Sequence, residues 1–154
     1  MSKNRAMMNR LKGLRQRSVW ISLCLGLLAG QFSSVVLAKQ SSDTLAGLTS
    51  EQTVVSYLRQ NHRLPDYYVT KRQARDAGWD ARAGNLCQVL PGKAIGGDRF
   101  SNREGRLPNA YKRVWREADI NYRCGRRGAD RVLFASDGLI YVSRDHYKQF
   151  VRVE

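Results

Sequence analysis

The run Trp115-Arg116-Glu117-Ala118-Asp119-Ile120-Asn121-Tyr122 sets two carboxylates two residues apart among strand-forming residues. Strand side chains alternate, so Trp115, Glu117 and Asp119 share one face and Arg116, Ala118 and Ile120 the other. A carboxylate withdrawn from water needs a partner, and Arg123, Arg126, Arg127 and Arg131 follow closely. The pattern fits an ion-pair ladder on a solvated sheet face as well as it fits a reactive site. Two histidines lie beyond residue 38. His62 falls at the end of a helical stretch, where an imidazole commonly serves structure. His146, in Asp145-His146-Tyr147, falls in a loop between the last two expected strands, and loops carried on a sheet are where sites concentrate. Glu117 and His146 therefore form one acid/base pair in a field of Arg and Lys. A carboxylate that accepts a proton, an imidazolium that donates one, and cations around the phosphoryl oxygens suit metal-free chemistry on a phosphodiester. Other chemistries lack their signatures. Pro91-Gly92-Lys93 does not have the spacing of a phosphate-binding P-loop, and there is no His-x-x-x-His or Cys-x-x-Cys for a metal.

The elements that must position this pair can be read in outline. Ser50 can cap a helix in which Val54, Tyr57, Leu58 and His62 recur at helical spacing, stopped by Leu64-Pro65-Asp66. Thr70 can cap a shorter helix through Ala77, which Gly78 ends, and a third helical turn is expected around Asn85 to Leu90. After Gly92 the texture changes to β-type runs: Ala94 to Phe100, Tyr111 to Tyr122, Arg131 to Ser136, Leu139 to Ser143 and Phe150 to Val153. Asp137-Gly138 is a hairpin signal. Helices followed by strands imply an α+β fold, with N-terminal helices packed on a C-terminal antiparallel β-sheet.

The chain of 154 residues has 27 Lys+Arg against 13 Asp+Glu, a formal +14. Such an excess implies an anionic partner and says nothing about fold. Six of the basic residues, Lys3 to Arg17, precede an apolar run from Val19 to Ala29, and Val36-Leu37-Ala38 ends with small residues at the −3 and −1 positions of a cleavage site. The order basic, apolar, small reads as a secretory signal over 1–38. Ser22, Gly30, Gln31, Ser33 and Ser34 interrupt what a membrane span would need, about 20 predominantly apolar residues. The mature chain, with a mobile polar leader over 39–47 and one domain over 48–154, retains 21 basic and 13 acidic residues, or +8. Removing Cys24 with the signal leaves Cys87 and Cys124, an even count that agrees with export to an oxidising compartment, with two unrelated free thiols as the alternative.

From Leu48 to the C-terminus the chain resembles the barnase-like microbial guanyl-specific ribonucleases. The resemblance rests on Leu64-Pro65-Asp66, Tyr68 to Lys71, Gly84-Asn85-Leu86, Pro91-Gly92-Lys93, Ile95 to Asp98, Phe100 to Gly105, Trp115 to Tyr122 and Asp145-His146-Tyr147. It implies a secreted enzyme, a monomer that needs no cofactor or metal, cleaves single-stranded RNA 3′ to guanosine through a 2′,3′-cyclic phosphate, and leaves DNA uncut. Glu117 would be the general base and His146 the general acid, with Lys71, Arg127 and Arg131 stabilising the transition state. Asp119 would orient the arginines and Asp98 would hold Lys71. Guanine would be read by Ser101, Asn102, Arg103 and Glu104, the Glu104 carboxylate accepting from the base. The resemblance also implies that Cys87 and Cys124 lie close enough for a disulfide, and that a producing cell needs an acidic, barstar-like inhibitor protein. The chain departs from the family at Arg126 and Gly138, where aromatic residues are usual; the second would remove a stacking neighbour of His62. A basic module of the same fold that binds RNA without turnover is the alternative reading.

Overall fold

The structure is a computed structural model and describes residues 43–153. The expected signal over 1–38 lies outside the described residues, as does the start of the expected leader. Within the described part of that leader and the residue after it, residues 43–48 are helical. Leu45, 2% exposed, packs with Trp79, Leu86 and Tyr122, a burial that stabilises by about 1.5–3 kcal/mol for a leucine. Thr49 fixes the segment by donating its hydroxyl to Leu45 O (2.8 Å) and accepting from Tyr122 N (3.0 Å).

Helix α1 (Glu51–Asn61) begins where Ser50 Oγ accepts from Thr53 N, and ends at His62, whose φ of 54° lets its N–H return to Leu58 O. Its buried face, Val54, Val55 and Leu58, meets Ala118, Ile120, Val132, Phe134, Ile140 and Val142 on one side of the sheet. Strand β1 (Tyr68–Val69) is followed by α2 (Lys71–Asp76), where Thr70 and Gln73 form a reciprocal capping box, and by α3 (Leu86–Val89). Strands β2 (Ala94–Phe100), β3 (Trp115–Asp119), β4 (Arg131–Ala135), β5 (Ile140–Ser143) and β6 (Val151–Arg152) complete a six-stranded sheet in the order β1-β2-β3-β4-β5-β6.

The sheet is antiparallel except at one edge. Tyr68 and Val69 pair in parallel with Ala94 and Ile95, because α2 and α3 intervene and return the chain in the same direction, as a parallel pair requires. The β4–β5 hairpin turns at Asp137-Gly138, with Gly138 at φ 92° donating its N–H to Ala135 O. Strand β3 is central, and its alternation divides the molecule. Ala118 joins the core under α1, while Trp115 packs with Leu107, Leu133 and Ala135 on the opposite side. Glu117 and Asp119 share that second side and are buried, 6% and 2% exposed. The disulfide joins Cys87 in α3 to Cys124 beyond β3, across 37 residues. Closing a loop of that size stabilises by roughly 3–4 kcal/mol on the chain-entropy estimate. No ring contact forms at His62 among the described residues.

Candidate active site

Glu117 sits in mid-strand on β3, with Leu133 opposite it on β4 and Asp98 on β2. A bulge between Gly96 and Asp98 shifts the β2 register and turns Asp98 toward the start of α2. There its Oδ2 accepts from the backbone N–H of Lys71 at 2.9 Å. Lys71 is thus pinned at both ends, because its Nζ donates to Glu117 Oε1. The contact between Asp98 and Lys71 runs through the main chain, where the unpaired N–H groups of a helix start favour a carboxylate.

The other oxygen of Glu117, Oε2, accepts from the Tyr147 hydroxyl at 2.5 Å. That hydroxyl in turn accepts from Arg131 Nε at 3.0 Å. Burial works to raise the Glu117 pKa, but hydrogen bonds from Lys71 and Tyr147 and the charges of Lys71 and Arg127 outweigh it, holding the carboxyl below its ordinary 4.5. Burial, then the Glu117 carboxylate, push Tyr147 up to about 12. Glu117 is therefore an ionised carboxylate and Tyr147 a neutral donor at neutral pH.

Asp119 lies two residues along the same face. It grips Arg127 with both oxygens, Nε to Oδ2 at 2.7 Å and Nη2 to Oδ1 at 2.6 Å, and its Oδ1 lies 3.1 Å from Arg131 Nε. Arg131, whose side chain is 3% exposed, also donates Nη1 to the carbonyls of Gly128 and Asp130. Asp119 costs about as much to bury as any carboxylate, and the two guanidiniums offset that cost only because the fork geometry is met. Burial lowers the Arg127 pKa less than its hydrogen bond and charge pairing with Asp119 raise it. Arg127 Nη1 and Arg131 Nη2 have no protein acceptor among the described residues. Both arginines line an open cavity of about 730 Å³ together with His146.

His146 is exposed and has φ 57°. Its loop is wound around two side chains: Ser143 Oγ accepts from Tyr147 N (2.8 Å), and Asp145 Oδ1 accepts from Lys148 N and Gln149 N, both at 3.0 Å. The backbone is therefore fixed while the imidazole faces the cavity. Beside it, Tyr147 stacks on Phe100 at 5.6 Å between ring centroids. That stack forms the wall of a second cleft, of about 230 Å³, bounded by Ser101, Asn102, Arg103, Glu104 and Phe150.

The second cleft is shaped by Asn102. With φ 44°, its carbonyl accepts from Gly105 N (3.0 Å), while its side chain accepts from Leu107 N (3.0 Å) and donates to Leu107 O (2.8 Å). Asn102 is thus a brace for the loop. The backbone N–H groups of Arg103 and Glu104 have no partner among the described residues, and neither does the Arg103 side chain. Glu104 is held by Arg106 at 2.7 Å, a pair exposed at both ends.

Of the residues singled out from the sequence, Arg127, Arg131 and His146 line the larger cavity and Ser101 to Glu104 the second cleft, while Glu117, Lys71, Asp98 and Asp119 join the network of contacts just described. His62 lies at the end of α1 and Cys87 and Cys124 form the disulfide, outside both clefts. Three contributions were not foreseen. Tyr147 links base to cation; the only signal was its place beside His146. Arg106 engages Glu104 and also donates to the carbonyls of Tyr147 and Lys148, a tie between loops distant in sequence. Arg82 extends the larger cavity beside Arg126. Among the described residues no group of His, Cys, Asp and Glu is arranged to hold a metal ion, and no helix is long and apolar enough to cross a membrane.

Comparison with known proteins bears on the same span. A family profile described as ribonuclease matches residues 51–154. A ribonuclease of Bacillus intermedius is 57% identical over 110 residues, covering 71% of this chain and 68% of its own. A ribonuclease of Heyndrickxia coagulans is 60% identical over 100 residues, covering 65% of this chain and 92% of its own. The solved structure of ribonuclease Sa2 with guanosine-2′-cyclophosphate aligns with 60% of this chain and 89% of its own at 26% identity, with a TM-score of 0.34, a superposition too loose to transfer geometry. With the profile spanning most of the chain and relatives above half identity, the chain belongs to the barnase-like family of microbial ribonucleases that its motifs resemble.

Proposed function

We propose that this chain is an exported endoribonuclease that cleaves single-stranded RNA 3′ to guanosine, first by transphosphorylation and then by hydrolysis. The observation that carries the reading is the buried Glu117 carboxylate, held ionised between Lys71 and Tyr147 beside a cavity lined by Arg127, Arg131 and His146. Glu117 accepts the proton of the ribose 2′-OH as that oxygen attacks the adjacent phosphorus. His146 gives a proton to the departing 5′-oxygen, leaving a 2′,3′-cyclic phosphate. The two groups exchange roles when water opens the cyclic ester. Lys71, Arg127 and Arg131 are in place before the substrate arrives, so charge building on the phosphoryl oxygens meets oriented donors without reorganisation.

Guanine enters the cleft beside Phe100 and Tyr147. The free N–H groups of Arg103 and Glu104 suit the base O6, and the Glu104 carboxylate suits its N1–H and exocyclic amine once released from Arg106. That exchange costs little, since an exposed ion pair is worth roughly 0–1 kcal/mol. Arg103 is free to stack on the base. Secretion directed by residues 1–38, a monomeric state and an acidic inhibitor that covers the basic site belong to the same reading.

Incubation of the purified protein with RNA and with single-stranded DNA in EDTA tests the mechanism, with the RNA product ends identified. Cyclic phosphate on guanosine, and uncut DNA, are expected. Cleavage of both polymers or of neither sinks the proposal.

A further inference from the structure

Between β2 and β3 the chain makes a turn that the proposed reaction does not use. Ala110 O accepts from Arg113 N at 3.2 Å, so Tyr111 and Lys112 are the two central residues of a β-turn. The turn is clamped at its base. Arg113 donates Nη1 to Pro108 O (2.7 Å) and Nε to Asp137 Oδ2 (2.8 Å), and Asn109 Oδ1 accepts from Asn102 Nδ2 at 2.8 Å. The tip departs from what the fold alone favours in two ways. Lys112 has φ 60°, in the left-handed region that glycine or asparagine adopts most readily in a turn, and a lysine is strained there. Tyr111 is 89% exposed, against 39% for Leu48 and 50% for Val151, the other exposed large hydrophobic side chains among the described residues. Lys112 Nζ lies 5.0 Å from the centre of the Tyr111 ring, so one face of the ring carries a cation and the other is open to solvent. An aromatic ring held out of the core on a clamped, strained turn points to a ligand that covers it.

We infer that Tyr111 is a stacking platform for the base of the nucleotide on the 5′ side of the cleaved guanosine. The inference rests on the proposed function for the direction of the strand. Glu117 marks the middle of β3. Beyond it, at the Asp119 end, Arg127 and Arg131 line the cavity for the scissile phosphate together with His146. Before it, Trp115 is in register with Phe100, whose ring walls the guanine cleft with Tyr147. An RNA strand with its guanine in that cleft and its 3′-phosphate toward the Asp119 end continues, on its 5′ side, past the start of β3, where residues 111–113 lie. The bond from Asn102 to Asn109 ties the turn to the loop that bounds the cleft and fixes the spacing between them. Every base has a π-face, so a ring flanked by a cation accepts purine or pyrimidine and reads no sequence. The platform therefore favours unpaired RNA that continues 5′ of the guanosine.

The test is calorimetric titration of the whole mature protein with uncleavable 2′-deoxy ligands. The reference is deoxyguanylyl-deoxyuridine. Two ligands extend it on the 5′ side, one with deoxyadenosine and one with an abasic residue that adds the same sugar and phosphate; another carries deoxyadenosine on the 3′ side. The 5′ adenine should tighten binding about fivefold or more over the abasic extension, the lower end of what stacking on an aromatic side chain contributes per base. Because the two 5′ extensions carry the same charge, the ratio of their affinities should change little between low and high salt. Tyr111→Ala should bring that ratio close to one, and Tyr111→Trp should keep or widen it; neither should alter the gain from the 3′ extension. In the unsubstituted protein, an adenine that binds no better than the abasic residue overturns the platform. So does a ratio that survives Tyr111→Ala, a variant that weakens equally toward every ligand, or a loss confined to the 3′ extension. The two readings fail separately. Equal affinity for deoxyguanylyl-deoxyuridine and deoxyadenylyl-deoxyuridine overturns the guanosine reading of the cleft, whereas a guanine preference without a Tyr111-dependent 5′ gain overturns the platform alone.

Discussion

Tyr147 stands between two regions built on opposite principles. On one side, Glu117, Asp119 and Arg131 are buried on adjacent strands, and each is held by at least two partners. On the other, Ser101 to Glu104 lie in an exposed turn, braced by one Asn102 side chain and leaving N–H groups and a cation unengaged. The contrast fits the roles proposed for the two regions. Stabilising a transition state demands donors that do not move as charge develops, and a sheet supplies that rigidity. Reading a base demands unsatisfied groups that a ligand can complete, and only a solvated loop can leave them unsatisfied without a large folding cost.

The largest effect that separates the regions is expected from Glu117→Gln. The amide keeps the shape and cannot accept the 2′-OH proton, so kcat should fall by about 10²–10⁴. RNA affinity measured by titration should be nearly retained. Retained turnover would move the base elsewhere and erase the distinction between a reacting side and a reading side.

Asp119→Ala should come next, and it acts on stability. Removing the carboxylate leaves the Arg131 guanidinium buried without its anion, a change that costs about 3–5 kcal/mol when one partner of a buried pair is removed. Glu104→Ala removes a carboxylate of the same charge from an exposed pair and should cost about 1 kcal/mol or less. Urea unfolding of both variants compares them directly. Equal losses would show that the reading loop is as deeply built into the fold as the sheet site.

These differences mark where the sequence was informative. Ser50 and Thr70 as caps, and Asp137-Gly138 as a turn, are local signals with local causes, and α1, α2 and the β4–β5 hairpin formed where they pointed. Glu117 and Asp119 on one strand face followed from a period of two. The parallel edge β1 carried no signal, since two residues cannot display a pattern and their pairing is decided by the crossover that follows. The burial of Leu45 carried no signal for a similar reason: it looks isolated in a polar stretch, and only its packing with Trp79, Leu86 and Tyr122 makes it a core residue. Roles such as general base came from resemblance to a family, while the link through Tyr147 depends on a hydrogen bond across 30 residues.

A smaller loss is expected from Asn102→Ala. It removes three side-chain hydrogen bonds that brace the exposed turn, one of them to Asn109 Oδ1, and it leaves the Leu107 N–H and carbonyl without these partners, a cost of about 1–3 kcal/mol. The damage should appear as a raised KM for guanosine sites with kcat changed less. A fall in kcat alone would mean that the loop also sets the geometry of the reacting groups.

Tyr147→Phe is the sharpest probe because it keeps the ring that walls the base cleft and deletes the hydroxyl that touches Glu117. Loss of one net hydrogen bond of about 1 kcal/mol corresponds to a fall in kcat of about fivefold, with KM for guanosine sites little changed. The pH profile carries the sign. The hydroxyl helps to hold the Glu117 pKa below 4.5, so its removal moves that pKa upward, and the acidic limb of the rate profile should shift to higher pH. Stability changes the same way. A depressed folded pKa contributes stability that is present above the unfolded value of about 4.5 and is lost as pH falls through the folded value. The phenylalanine variant should therefore have less of this stability to lose, and its loss should be complete at a higher pH than in the parent. An acidic limb that stays in place would mean that Lys71 alone sets the ionisation of Glu117, and that Tyr147 belongs only to the region that reads the base.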